Sequence, residues 1–76
     1  MIETRIRLYD NQCVIRQVGG ERTILEEGDV LEITPTPGVW IAGTYHYDQE
    51  HKEHYWKHDN AHFVGLIDGM SVRYRV

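Results

Sequence analysis

The chain has 76 residues, 41% hydrophobic and 26% charged, with twelve acidic residues against eight basic and a formal net charge of -4. This length makes one domain with a thin core, burying about 60–65% of the surface its unfolded chain exposes, so a second copy of itself is a partner it would gain from. The acidic balance argues against a nonspecific nucleic-acid binder, and the single cysteine, Cys13, excludes an internal disulfide and a multi-cysteine zinc site.

A lone cysteine in so small a domain points to a reducing cytoplasm. The start, MIETRIRLYD, alternates polar and apolar residues and lacks the apolar run of a secretory leader. No stretch approaches the ~20 apolar residues of a membrane span.

Along the chain the dominant period is two. Ile6 and Leu8 alternate with Arg5, Arg7 and Tyr9, and Asp10-Asn11 offers a turn. Residues 12–18, QCVIRQV, are rich in β-branched side chains and read as a strand. Gly19-Gly20 is a hairpin signal, because both residues take positive φ without steric cost. Short strands are expected at 22–25 and 30–34, joined by the Gly28-Asp29 turn. Pro35-Thr36-Pro37-Gly38 should break pairing, since proline donates nothing to the ladder. Residues 39–47 form a long strand. Residues 48–58 read as the tip and return of its hairpin, because their aromatic side chains suit a strand better than a helical turn. HFVGLI at 62–67, a turn at Asp68-Gly69 and MSVRYRV at 70–76 complete the chain. In the last segment Met70, Val72, Tyr74 and Val76 share one face. The expected fold is all-β: a small Src-homology-3-like barrel of five to six antiparallel strands, in which closure removes exposed edges.

Three pieces recur in a suggestive order: Gly28-Asp29-Val30-Leu31-Glu32-Ile33, Gly38-Val39-Trp40 and Asp68-Gly69-Met70-Ser71-Val72-Arg73. Over residues 24–45 and 62–76 the chain resembles a family of short uncharacterised β-barrel domains found in bacterial mobile elements and phages. The resemblance implies a small barrel and a phage or mobile-element setting. It carries no catalytic residues, and segment 46–61 departs from the pattern.

That departing segment holds the chemistry. All five histidines lie between His46 and His62, with Tyr45, Tyr47, Tyr55, Trp56 and Phe63 among or beside them. Exposed tyrosine and tryptophan are the usual anchors of protein recognition, so Tyr45, Tyr47, Tyr55, Trp56 and His58 are the expected partner-binding residues. The same rings would serve equally as core, and Trp40 and Phe63 are expected there. A metal reading uses His51, His54 and His58. On a helix His54 and His58 would share a face, but on a strand they stand about 13 Å apart, too far to share an ion. A solvated polar hairpin explains the same histidines. Their titration would also swing the net charge upward below neutrality.

The arginines give a third reading. Arg5 and Arg7 share a face, as do Arg73 and Arg75. Paired terminal strands would gather all four, joined by Arg16, into an anion-binding patch suited to a nucleotide. Interleaved acids such as Glu3 would instead make this an ordinary outer face. The run Glu21, Glu26, Glu27, Asp29, Glu32 either imitates nucleic-acid phosphate or simply solvates the surface. Catalysis has little support. Ser71 lacks a nucleophile elbow, Cys13 sits among apolar neighbours, and Glu26 and Glu27 point to opposite faces of a strand. No cofactor is expected. The residues therefore point to a small cytoplasmic protein-binding module, not an enzyme; a host protein as its partner is what the resemblance implies. In the setting implied by the resemblance it would be an accessory or inhibitor protein acting on host defence machinery.

Overall fold

A computed structural model describes residues 1–17, 19–59 and 61–75. It is all-β. Eight strands are found among the described residues: β1 (Ile2–Leu8), β2 (Cys13–Arg16), β3 (Arg22–Ile24), β4 (Val30–Thr36), β5 (Val39–Asp48), β6 (Glu53–His58), β7 (His62–Gly65) and β8 (Ser71–Tyr74). Every pairing is antiparallel, in the order β3-β2-β1-β8-β4-β5-β6-β7. Among the described residues no helix is long and apolar enough to cross a membrane.

The expected closed barrel of five to six strands does not form. The sheet has eight strands and stays open, with β3 and β7 at its edges. Both edge strands are short, three and four residues, which limits the ladder they offer to a stray chain. The sheet nonetheless curls. Strands β7 and β8 lie four positions apart in the order, roughly 19 Å on a flat sheet. Residues 66–70 must bridge that gap while making a turn closed by the Met70 N–H to the Ile67 carbonyl at 3.0 Å. Even a fully extended link of this length reaches only about 20 Å, so bending the sheet is what lets the link fit.

Curling creates an inside. Ile6, Cys13, Ile15, Leu25, Leu31, Ile33, Tyr45, Trp56, Leu66 and Val72 form the buried cluster, with Met70, Tyr74 and Ile41 packed against it. The period-two pattern explains their selection. In β1 Ile6 points in while Arg5 and Arg7 point out; in β8 Val72 points in while Ser71 and Arg73 point out. Val18 and Val76, assigned to strands from the sequence, lie outside the described residues.

The turns follow their glycines. Gly19 and Gly20 carry φ of 95° and 89° and link β2 to β3, as expected. The proline segment departs from expectation. Pro35 lies within β4, where the β4–β5 register shifts between Ile33 and Thr36, and pairing resumes at Thr36↔Val39. A bulge tolerates a residue that cannot donate, so the proline bends the ladder without ending it.

Candidate functional site

The β5–β6 hairpin forms over 39–58 as expected, in the register Thr44↔Lys57, Tyr45↔Trp56, His46↔Tyr55, Tyr47↔His54. Its two faces differ sharply. Tyr45 and Trp56 are only 3% and 2% exposed, so the outward projection required of them as contact residues is corrected: both are core. Gly43 shows why. A Cβ at Gly43 would sit far inside contact distance of the Trp56 ring and the Lys57 carbonyl oxygen. The missing side chain is the slot into which the indole folds, and the indole N–H donates to the Leu31 carbonyl at 2.8 Å.

His54 is buried beside these rings. Its Nε2 lies 2.8 Å from the Tyr9 carbonyl and its Nδ1 2.6 Å from the Tyr45 hydroxyl. A carbonyl can only accept, so Nε2 carries the proton and Nδ1 accepts from Tyr45. Burial pushes the Tyr45 hydroxyl well above its ordinary range, with the nearby Cys13, Glu27 and Tyr47 adding to it, and the group stays a donor. Tyr47 is half-buried on the same face and donates to the Asp10 carbonyl at 2.6 Å. Together these bonds fasten the hairpin to the β1–β2 turn, so Tyr45, His54 and Tyr47 act as a latch that holds the curl. Cys13 is free and buried close by, its thiol pushed up to about 12 by burial, which leaves it protonated and inert.

The outer face carries a different set. The His46 and Tyr55 rings stack with centroids 5.1 Å apart, Tyr55 meets Phe63 at 6.0 Å, and Lys57 Nζ lies 5.7 Å from the Phe63 centroid. Phe63, expected in the core, is 59% exposed. Its strand explains the reversal. Val64 pairs with buried Trp56, and Leu66 just beyond β7 is buried, so that parity belongs to the inside and Phe63 must point out, opposite Lys57. His46 is fixed from below: Nδ1 donates to the Glu27 carboxylate, and Nε2 lies 2.7 Å from the Thr44 hydroxyl. Burial raises the Glu27 carboxyl, but hydrogen bonds from His46 and the Tyr47 N–H, with the His46 charge, outweigh it and hold the group below its usual range. Of the five partner-binding residues expected from the sequence, Tyr55 alone belongs to this row. His46, Lys57 and Phe63 join it; both parities of 63–67 are apolar in the sequence, Phe63 and Ile67 against Val64 and Leu66, so no local signal singled out Phe63.

His58 lies at the inner end of β6. Its ring stacks on Trp56 with an interplanar angle of 7°, and Nδ1 donates to the Ala42 carbonyl at 2.8 Å. Next to it, Asp59 is held below the usual carboxylate range by the Ala61 N–H and by His62. The histidines of the metal reading do not converge. His51 sits in the β5–β6 turn on Asp48, His54 has both nitrogens committed, and His58 is at the far end of β6. Among the described residues no group of three or more His, Cys, Asp or Glu is arranged to hold a metal ion.

The arginine patch is regrouped. Strands β1 and β8 do pair, but Glu3 stands opposite Arg73 and reaches its Nε at 3.6 Å, while the Arg73 guanidinium lies 4.4 Å over the Trp40 ring. Trp40, expected in the core, is therefore an outer-face residue beneath Arg73. Arg73 and Arg75 line one shallow depression with Glu32; Arg5 and Arg7 line another with Arg16. The acidic run is also divided among tasks: Asp29 caps the Glu26 N–H at 2.8 Å, Glu27 holds His46, and Glu32 faces Arg73 across the ladder.

Comparison with known proteins gives no family model, no curated protein and no solved structure that matches this chain.

Proposed function

We propose that the chain is a protein-binding module whose recognition surface is the outer face of β5, β6 and β7, centred on Tyr55 and Phe63. The supporting observation is the exposed phenyl ring of Phe63, backed by Tyr55 and Lys57, on a strand whose other side is an unpaired sheet edge. A large exposed ring set in a row of rings is the usual anchor of a protein contact. An open edge offers backbone donors and acceptors to an extended segment, and such a segment laid along β7 would bring alternate side chains against Phe63. A protein partner satisfies both features at once. The module does its work by binding and not by catalysis. The resemblance over residues 24–45 and 62–76 supplies the setting: a phage or mobile-element accessory or inhibitor protein in the host cytoplasm, engaging host machinery.

The test is affinity capture from the host, followed by reconstitution with the captured protein and the variants Tyr55→Ala, Phe63→Ala and Arg73→Ala. The first two should each weaken the complex by about thirtyfold or more, the range of a contact anchor. Arg73→Ala should leave it within about threefold, since a residue outside the contact has little effect. Full affinity in Phe63→Ala would end this reading. Pairing between two copies of the chain along β7, seen as a concentration-dependent dimer, would replace the host partner by the protein itself.

A further inference from the structure

On the opposite half of the sheet, the outer face of β1, β2 and β3 collects a second set of arginines. Thr4, Arg5, Arg7, Tyr9 and Arg16 line an open concavity of about 310 Å³, and no carboxylate is among its lining residues. The ladder brings the charges together. Ile6 pairs with Ile15, which sets Arg5 beside Arg16 one step along, and Arg16 lies directly opposite Arg22. Like charges face to face on a sheet repel and weaken it. Arg7 is partly offset by Asp68, 3.6 Å from its Nε, and Arg5 donates to the Gly69 carbonyl at 3.1 Å. Among the described residues no carboxylate lies within ion-pairing distance of Arg16 or Arg22, although twelve acids are present in the chain. The concavity is thus an electropositive depression waiting for an external anion. Beside it Tyr9 is 50% exposed and borders a neighbouring depression shared with Val14, Arg22 and Ile24.

We propose that this concavity binds a nucleoside phosphate, with Arg5, Arg7 and Arg16 on the phosphoryl oxygens and the Tyr9 ring under the base. Guanidinium forks match phosphoryl oxygens two at a time. A tyrosine face beside apolar side chains suits a flat heterocycle. The site favours a short ligand over a polymer: a long polyanion would run onto the acidic remainder of a molecule of net charge -4. The site is separate from Tyr55 and Phe63, so it stands or falls independently of the protein-binding reading.

The experiment is calorimetric titration of the intact chain with ADP, pyrophosphate and a deoxythymidine 10-mer at two salt concentrations. ADP is expected to bind, more weakly at the higher salt. Arg16→Ala should lower its affinity about tenfold or more, as expected for loss of a hydrogen bond to a charged group, with a melting temperature no lower than the wild type's, since the charge opposite Arg22 is removed. Arg73→Ala should change nothing. Tyr9→Ala should weaken ADP but leave pyrophosphate binding as it was. If Arg16→Ala fails to fold, Arg16→Lys is read instead; it keeps the charge, loses the fork and should still weaken ADP severalfold. Absence of ADP binding, or ADP affinity indifferent to the Arg16 substitution, overturns the site. Pyrophosphate binding as tightly as ADP overturns the role of Tyr9. The 10-mer binding more tightly than ADP overturns the small-ligand assignment.

Discussion

On the inner face of the β5–β6 hairpin, Tyr45, His54 and Trp56 are sealed into the core with their polar atoms matched to Leu31, Tyr9 and one another. On the outer face, one residue away along each strand, the half-buried rings of His46 and Tyr55 stack and hand on to the exposed Phe63. Both faces use aromatic rings and imidazoles, so residue type does not separate structure from recognition here. Position relative to Gly43 does: its empty side draws the indole in, and period-two alternation then assigns every other side chain of the hairpin. Inner-face substitutions should therefore cost stability and spare binding, while outer-face ones should do the reverse.

The largest effect is expected at Gly43. Gly43→Ala forces the Trp56 ring out of its slot and should destabilise the fold by about 2–4 kcal/mol, lowering the melting temperature by roughly 10 °C or more. A melting curve like that of the wild type would show that the indole does not need the slot. Next is the latch. Tyr45→Phe leaves buried His54 Nδ1 without a donor and should cost about 1–3 kcal/mol in chemical denaturation. Tyr47→Phe frees only the Asp10 carbonyl at the surface, which water can satisfy, and should cost less than about 1 kcal/mol. Equal losses in the two variants would remove the distinction between a buried and a surface tie.

A smaller stability effect is expected outside. Phe63→Ala should shift unfolding by less than about 0.5 kcal/mol while lowering partner affinity. A large loss of stability would mean the ring packs inward after all.

The smallest effect lies in the hairpin tip, where Asp48 and His51 are linked at 2.7 Å. The hydrogen bond from His51 holds Asp48 below its usual range, and the same bond raises His51 above its ordinary 6.5. A raised histidine contributes stability that is complete below its unfolded value and fades as pH rises through its folded one. A lowered aspartate contributes above its unfolded value and fades as pH falls through its folded one. The pair therefore acts between the two, in mildly acidic solution. Imidazole proton shifts should report His51 titrating above 6.5, and Asp48→Asn should lower it toward the ordinary value, with the Glu53 charge still acting on it. No change on substitution would mean that the two groups are not paired in solution.

Much of the local structure was legible in the sequence. Gly19-Gly20 and Asp68-Gly69 mark turns through the positive φ of their glycines, Met70 and Val72 mark the inner side of the last segment, and 48–58 forms the tip and return of the hairpin, with the return strand at Glu53–His58. The global arrangement was not. Nothing local says that β8 inserts between β1 and β4, or that a short link from β7 curls the sheet without zipping its edges. The candidate site was half legible for a related reason. With rings and imidazoles on both faces of one hairpin, hydrophobicity cannot choose the inside, and over 63–67 Phe63 and Ile67 on one parity are as apolar as Val64 and Leu66 on the other, so residue type alone sends Phe63 to the core. The arginines show the same limit, because pairing Arg5 with Arg16 and Arg73 with Glu3 is a matter of register between strands far apart in the chain.

The most direct measurement is an amide and side-chain NMR map of the chain with and without its captured partner. The outer-face account requires the largest perturbations at Tyr55, Lys57, Phe63 and the β7 backbone, with Tyr45 and Trp56 retaining their free-state ring shifts. Perturbations centred on the β1–β2–β3 face, with Phe63 unaffected, would contradict it.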